Sequence, residues 1–509
     1  MKKNILSLAV ASSVAGLAVT AQASMYLNPE GTGEVLLFPY YNAQNANQTS
    51  MSIVNTSDDA KAVKVRFMEY VNSQEVLDFN LYMSAKDHFS FTIYQVGDGA
   101  GIVTTDNTCT VPELGTGSGT YAGSQETLPD GAIKRIQPFL PYQYATGTTP
   151  DLYDSITRTM VGHVEVIEMG VLSDDGTTLA TSFDPKSYAT HGSDGVPANC
   201  AALVAAWSTG GAWLATNALQ ENIGAPTGGL YGVSNMLNNT DAAAYGVEAS
   251  AIADFWAGTT TGHAKPGSTD PSLTDGDVNS LIANKGAFYD VTFSKAIDAV
   301  SSLFMATSIS NDVMASPGLN GETDWVVTFP TRRYYVNESV VASRLPFTDL
   351  YDGDNSTAGG PASSCETVTI NQIDREESQT DPVVGGPIFS PAPPDPEDAA
   401  PNKLCYETNT IAINGVSALN ASISTDTVLD AAISLGWGQD QPEGWQTISF
   451  TSANVMTAAS TPSGANGATI DGLPVLGFAA FEYTNETKNF GFVSDHKTTV
   501  AGSALEPAS

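Results

Sequence analysis

Residues 62–70, AVKVRFMEY, set Val63, Val65 and Phe67 against Lys64, Arg66 and Met68. A period of two is the signature of a strand with one face buried. Similar short runs flank it: Val35–Phe38 ahead of Pro39, then Met51–Asn55, Val76–Tyr82 and Phe89–Tyr94. Strands this short, broken every ~8–12 residues by Asn, Asp, Gly and Ser, predict packed antiparallel sheets. The expected fold is mainly β: multi-domain immunoglobulin-like β-sandwiches with long loops and a small helical insertion. The Cys…Trp…Cys core of antibody domains is absent.

Further along, residues 98–154 are rich in Gly, Thr, Ser, Pro and Asp and read as long surface loops. A strand resumes at Met160–Met169, and a helix is expected over Ala198–Ser208, with Pro197 in its first turn and Cys200, Leu203, Val204 and Trp207 on one face. Residues 228–237, 289–293 and 324–336 read as extended, and 296–305 fits helix or strand. The run GGPIFSPAPPDPEDAAP at 385–401 cannot sit inside a sheet. Strand patterns return at 406–414, 447–452 and 475–483. No fixed-period repeat is visible. The expected division is a leader at 1–23, an N-terminal sandwich with long loops at 24–180, a mixed segment at 181–345, and a C-terminal β domain at 346–509.

Lys2 and Lys3, the apolar stretch from Ile5 to Val19 and the small residues Ala21-Gln22-Ala23 have the order of a secretory signal peptide, so the mature chain is expected to start at Ser24. The apolar stretch is shorter than the ~20 residues that span a bilayer. No transmembrane segment is expected after cleavage. The full chain has 20 Lys+Arg against 55 Asp+Glu, a net charge of −35. Losing both leader lysines and no acid brings it to −37. Such a surface repels phosphate backbones, which excludes nucleic acid as a natural partner.

Cys109, Cys200, Cys365 and Cys405 suit an oxidising compartment and two bridges. Three connectivities are possible, and spacing favours neighbours: Cys365 with Cys405 and Cys109 with Cys200. Each closed loop would restrict the unfolded chain by about 3–5 kcal/mol. None of the four lies in a C-x-x-C arrangement or beside a histidine, which disfavours zinc.

Patterns of common hydrolases, metalloproteases and nucleotide-binding proteins are absent. His163 and Glu165 share one face of a strand and suit a metal or a shared proton, with an exposed polar pair as the plainer reading. His88 and His496, each following an aspartate, read as surface contacts. Asp374, Glu376 and Glu377 around Arg375 resemble a carboxylate pair for glycoside chemistry, although neighbours in a loop do not set the required separation. Residues 274–280, TDGDVNS, fail the spacing of a calcium loop, and Asp277 is better placed as a helix cap. A looser oxygen cluster, Asp349, Asp352, Asp354 and Asn355, is the candidate metal site, with Ca²⁺ as its expected ion. An outer-membrane barrel would share the leader, acidity and alternation, but disulfides and irregular loops argue against it.

MYLNPEGTGEVLLFPYYNAQ (25–44), VKVRFMEYVNSQEVLDFNLYMS (63–84), TDWVVTFPTRRYYV (323–336) and the loop between Cys365 and Cys405 resemble secreted surface-layer proteins of marine Gammaproteobacteria. The resemblance spans the mature chain. It implies a non-enzymatic, self-assembling subunit of a paracrystalline surface layer, shed into biofilm matrix and held non-covalently on an outer-membrane surface glycolipid. On charge grounds, copies packed side by side need divalent counter-ions. The alternative is a secreted glycan-binding adhesin or polysaccharide hydrolase, with Trp207/Trp213 or Trp437/Trp445 as sugar platforms.

Overall fold

The computed structural model describes residues 24–144, 155–174, 183–214, 219–315, 318, 320–336, 345–349, 364–380, 402–422, 432–438, 441–461, 467–485, 488–503 and 505. The chain is mainly β, arranged in several separate antiparallel sheets. The first sandwich pairs an eight-stranded with a seven-stranded sheet. At the centre of the eight-stranded sheet lie Val35–Asn42, Val161–Leu172, Lys61–Glu69 and Glu75–Met83, in that spatial order. The facing sheet centres on Leu230–Asn238, Gln48–Asn55 and His88–Val96. Phe38, Val65, Phe67, Phe79 and Val166 from one sheet meet Met51, Ile53, Phe89, Phe91 and Ile93 from the other in one hydrophobic core.

A second sandwich follows. Glu366–Asp374, Glu443–Phe450 and Ser308–Met314 form the middle of one sheet; Thr408–Ile413, Glu322–Thr328 and Leu476–Asn485 form the middle of the other. Ile309, Ile370 and Ile448 pack with Trp325, Val327 and Ile411 between them. That cluster also takes in Val35, Leu37 and Ile167 from the outer face of the first sandwich. The eight-stranded sheet is therefore covered on both faces. A strand predicted to be half-buried, Lys61–Glu69, is buried at every residue.

Several sequence expectations need correction. The strands of 181–345 are shared: Leu230–Asn238 pairs with Gln48–Asn55, whereas Ser308–Met314 pairs with Glu443–Phe450, so sheet membership does not follow boundaries at 180 and 345. Residues 99–138, expected as loops, contain Gly99–Thr104, Cys109–Val111, Ser124–Thr127 and Ile133–Pro138, added mainly at sheet margins where a poor apolar pattern suffices. The helix near 198–208 is the shorter Cys200–Ala206; Asn199, not a proline-led turn, starts it by accepting from the Ala202 amide. Residues 324–336 are not extended throughout, since a turn after Thr328 leads into the short helix Arg333–Val336. Residues 296–305 begin as the helix Ala296–Ser302.

The strand expected to stop at Phe38 continues to Asn42 through Pro39. A proline cannot donate to a ladder. Its neighbour accommodates it: the register of Val161–Leu172 shifts between Gly162, opposite Tyr41, and Val164, opposite Phe38. The Pro39 carbonyl accepts from the Thr328 hydroxyl of the second sandwich. That irregularity carries His163.

Both expected disulfides form, Cys109–Cys200 and Cys365–Cys405. The first ties the helix Cys200–Ala206 to a sheet margin. No helix among the described residues is long and apolar enough to cross a membrane. The two bridges suit a protein of an oxidising, extracellular setting. The leader expected at 1–23 and the proline-rich run at 385–401 lie outside the described residues.

Candidate functional site

The outer face of the eight-stranded sheet carries charge where the sandwiches meet. Alternation sends Lys64 and Arg66 to the face opposite Val63, Val65 and Phe67. Arg66 donates from Nε to Glu75 Oε2 at 2.7 Å and from Nη1 to Glu165 Oε2 at 2.9 Å. Lys64 pairs with Asp78. Nearby, Lys61 Nζ reaches Glu168 Oε1 at 2.6 Å, and Arg158 grips Glu69 with two nitrogens at 2.8 and 2.9 Å. Arg332 donates to the carbonyls of Leu404 and Tyr406 and to Ser364, and Arg333 to the carbonyl of Ser73. Of the bonds in this seam, that from Arg333 to the Ser73 carbonyl crosses from the second sandwich to the first.

Burial sets the seam's proton affinities. Glu75 is pushed up to about 7 by burial, against the pull of Arg66. Burial works against the Arg66 charge, but Glu165 and Glu75 outweigh it and its affinity rises. Glu407 is pushed up to about 8 by burial, only partly offset by Arg332 and Arg333, and neither carboxyl oxygen has a hydrogen-bond partner. His163 falls to about 3, first from burial and then from the charges of Arg333 and Arg66. Both its ring nitrogens are without partners.

The structure therefore corrects the sequence reading of His163 and Glu165. They share a region of one face, but both are buried rather than exposed. Their closest approach is 4.0 Å, beyond a direct hydrogen bond. A neutral imidazole lies beside a carboxylate already engaged by Arg66.

Other candidates sort out plainly. Asp374 heads a turn, where Oδ1 accepts from the amides of Glu376 and Ser378, while Arg375 lies near Glu376 and Glu443 and donates to Gln441. Glu376 and Glu377 belong to that exposed turn. Asp277 accepts from Asn279 at the start of a strand and caps no helix. His496 is half-buried, held between Asn311 and the Val326 carbonyl against Trp325 rather than standing free on the surface; burial lowers it to about 4. Trp207 and Trp213 form an aromatic core with Tyr82 and His263, which removes them as sugar platforms. Trp437 packs against the second core, leaving Trp445 exposed. Asp349 accepts from the Cys365 amide; Asp352, Asp354 and Asn355 lie outside the described residues. Among the described residues, no group of three or more His, Cys, Asp or Glu side chains is placed to hold a metal ion.

Two features escaped sequence reading. The first is the seam, whose only signal was the concentration of Lys61, Lys64 and Arg66 in a chain poor in cations. The second is Lys488–Asp495, an edge strand beside Leu476–Asn485. It exposes Phe490 (53%) and Phe492 (44%) two residues apart on one face, with Tyr483 stacked against Phe492. Sheet edges of this kind offer a template for another chain. In comparisons with known proteins, no family, no curated protein and no solved structure matches the chain.

Proposed function

We propose that this protein is a non-enzymatic structural subunit exported to the surface of a Gram-negative bacterium, where copies tile into a two-dimensional paracrystalline layer and contribute to biofilm matrix. The observation that carries the reading is the edge strand Lys488–Asp495, with two exposed phenylalanines on an otherwise strongly acidic molecule. An apolar edge gives a contact; a net charge of −35 opposes it until counter-ions intervene. Burial of Lys61, Lys64, Arg66, Arg158 and Arg332 is accompanied by burial of a larger number of carboxyls, so the surface stays acidic and the need for cations remains. Calcium meets it through carboxylate oxygens, with Asp349, Asp352, Asp354 and Asn355 as the leading cluster. Contacts are head-to-tail as well as rotational, since a closed dimer cannot tile a plane. Non-covalent attachment to an outer-membrane glycolipid completes the picture.

The test is electron microscopy and sedimentation of the mature protein across a calcium series. Ordered sheets at millimolar calcium, dissolved by chelator and lost in the F490S/F492S variant, are expected. Protein that stays monomeric at millimolar calcium and high concentration overturns the reading.

A further inference from the structure

A cleft of about 450 Å³ opens beside the margin of the eight-stranded sheet, within the size range of small-molecule sites. Its wall holds Tyr121 and Tyr142, with ring centroids 5.8 Å apart and planes at 83°. Tyr142 is 60% exposed, so its ring face is open to a ligand in the cleft. Glu75 and Asp78 line the cleft with side chains more than nine-tenths buried, backed by Arg66 and Lys64. Gln143 lies at the rim; its carbonyl oxygen accepts from the Glu75 amide, which fixes the side chain and turns its NH₂ away from that bond. Glu113 completes the polar lining.

We infer that this cleft binds a neutral saccharide, with the apolar face of one sugar ring on Tyr142 and its hydroxyls shared among Gln143, Glu75 and Asp78. The choice of ligand follows from charge. Asp78 is engaged by Lys64, and Glu75 shares Arg66 with Glu165, so the carboxyls of the floor already have cationic partners and offer little to an organic ammonium ion. Glu113 and the acidic surface repel anionic sugars. What remains is a fixed array of hydrogen-bonding groups beside exposed aromatic rings, suited to a ligand with one apolar face and many hydroxyls. The site is separate from the edge strand that carries the assembly reading and does not depend on it.

The test uses mature protein in chelator, so that array formation does not enter. Calorimetry with a panel of neutral trisaccharides, in parallel with flotation on vesicles containing smooth or rough lipopolysaccharide, measures soluble and membrane-held sources of the same chemistry. Binding in either arm that falls more than tenfold in Y142A, but less than threefold in Y142F, supports the site and names its source. The partly exposed ring makes Y142A a safe variant for folding, and circular dichroism checks it. No binding in either arm at millimolar saccharide, binding unchanged in Y142A, or binding of choline in preference to every sugar overturns the inference.

Discussion

Replacing Arg66 with methionine asks how much the buried seam depends on charge balance. The arginine side chain is 1% exposed and sits between Glu75 and Glu165, whose side chains are 6% and 0% exposed. Removing it leaves two carboxylates in the interior, one already held at about 7 with the arginine present. Breaking a buried ion pair from one side costs about 3–5 kcal/mol, and that is the loss expected for R66M at pH 8. The penalty depends on pH in a defined direction. Without Arg66 the folded-state affinity of Glu75, already raised, climbs further above the unfolded value of about 4.3. A raised carboxyl destabilises the fold increasingly as pH climbs above the unfolded value, and costs nothing once both states are protonated. The R66M penalty should therefore shrink between pH 8 and pH 5. Urea unfolding followed by tryptophan fluorescence reads both values, because Trp213 and Trp325 are buried in the two halves of the molecule. Adding E165M to R66M should recover part of the loss, since an apolar replacement of a whole pair is tolerated better than half a pair. A loss under about 1 kcal/mol at pH 8, or an equal loss at both pH values, would refute the reasoning.

Glu407, pushed up to about 8, keeps its proton in the folded chain while the unfolded chain releases it above about 4.3, so its contribution to stability falls as pH rises through that window. E407Q removes the titration while keeping the shape, and its stability relative to wild type should improve by more than about 1 kcal/mol from pH 5 to pH 8; an offset that does not move with pH would count against the protonated state. The bridge Cys109–Cys200 joins residues 91 apart in sequence. Its removal in C109S/C200S should cost about 2–5 kcal/mol in the same urea assay, and an unchanged midpoint would mean that the helix is held without it.

How much of this was legible depends on the range of the signal. Strand positions such as Met51–Asn55 are written locally, because a period of two needs no knowledge of partners. The second burial of Lys61–Glu69 is not local. It depends on the second sandwich and on residues near 255–336 covering a face whose sequence reads as polar. Pro39 misled for a related reason: its strand continues because Val161–Leu172 shifts register there, a fact held in another part of the chain. The same holds for the candidate site. Spacing puts His163 and Glu165 together, but their burial, and the Arg333 and Arg66 charges that add to burial in keeping His163 neutral, come from Lys61–Glu69 and from 333. Trp207 was correctly placed on an apolar face, yet nothing local distinguishes a core tryptophan from a sugar platform.

The seam also bears on survival outside a cell. Trypsin-like proteases cut after lysine or arginine and must draw the surrounding backbone into their own active sites. The bonds following Lys61, Lys64 and Arg66 lie inside a paired central strand, and the side chains that would mark Arg158 and Arg332 for cleavage are enclosed. A chain sparing in such residues, which stores several of them out of reach, offers these enzymes few places to begin.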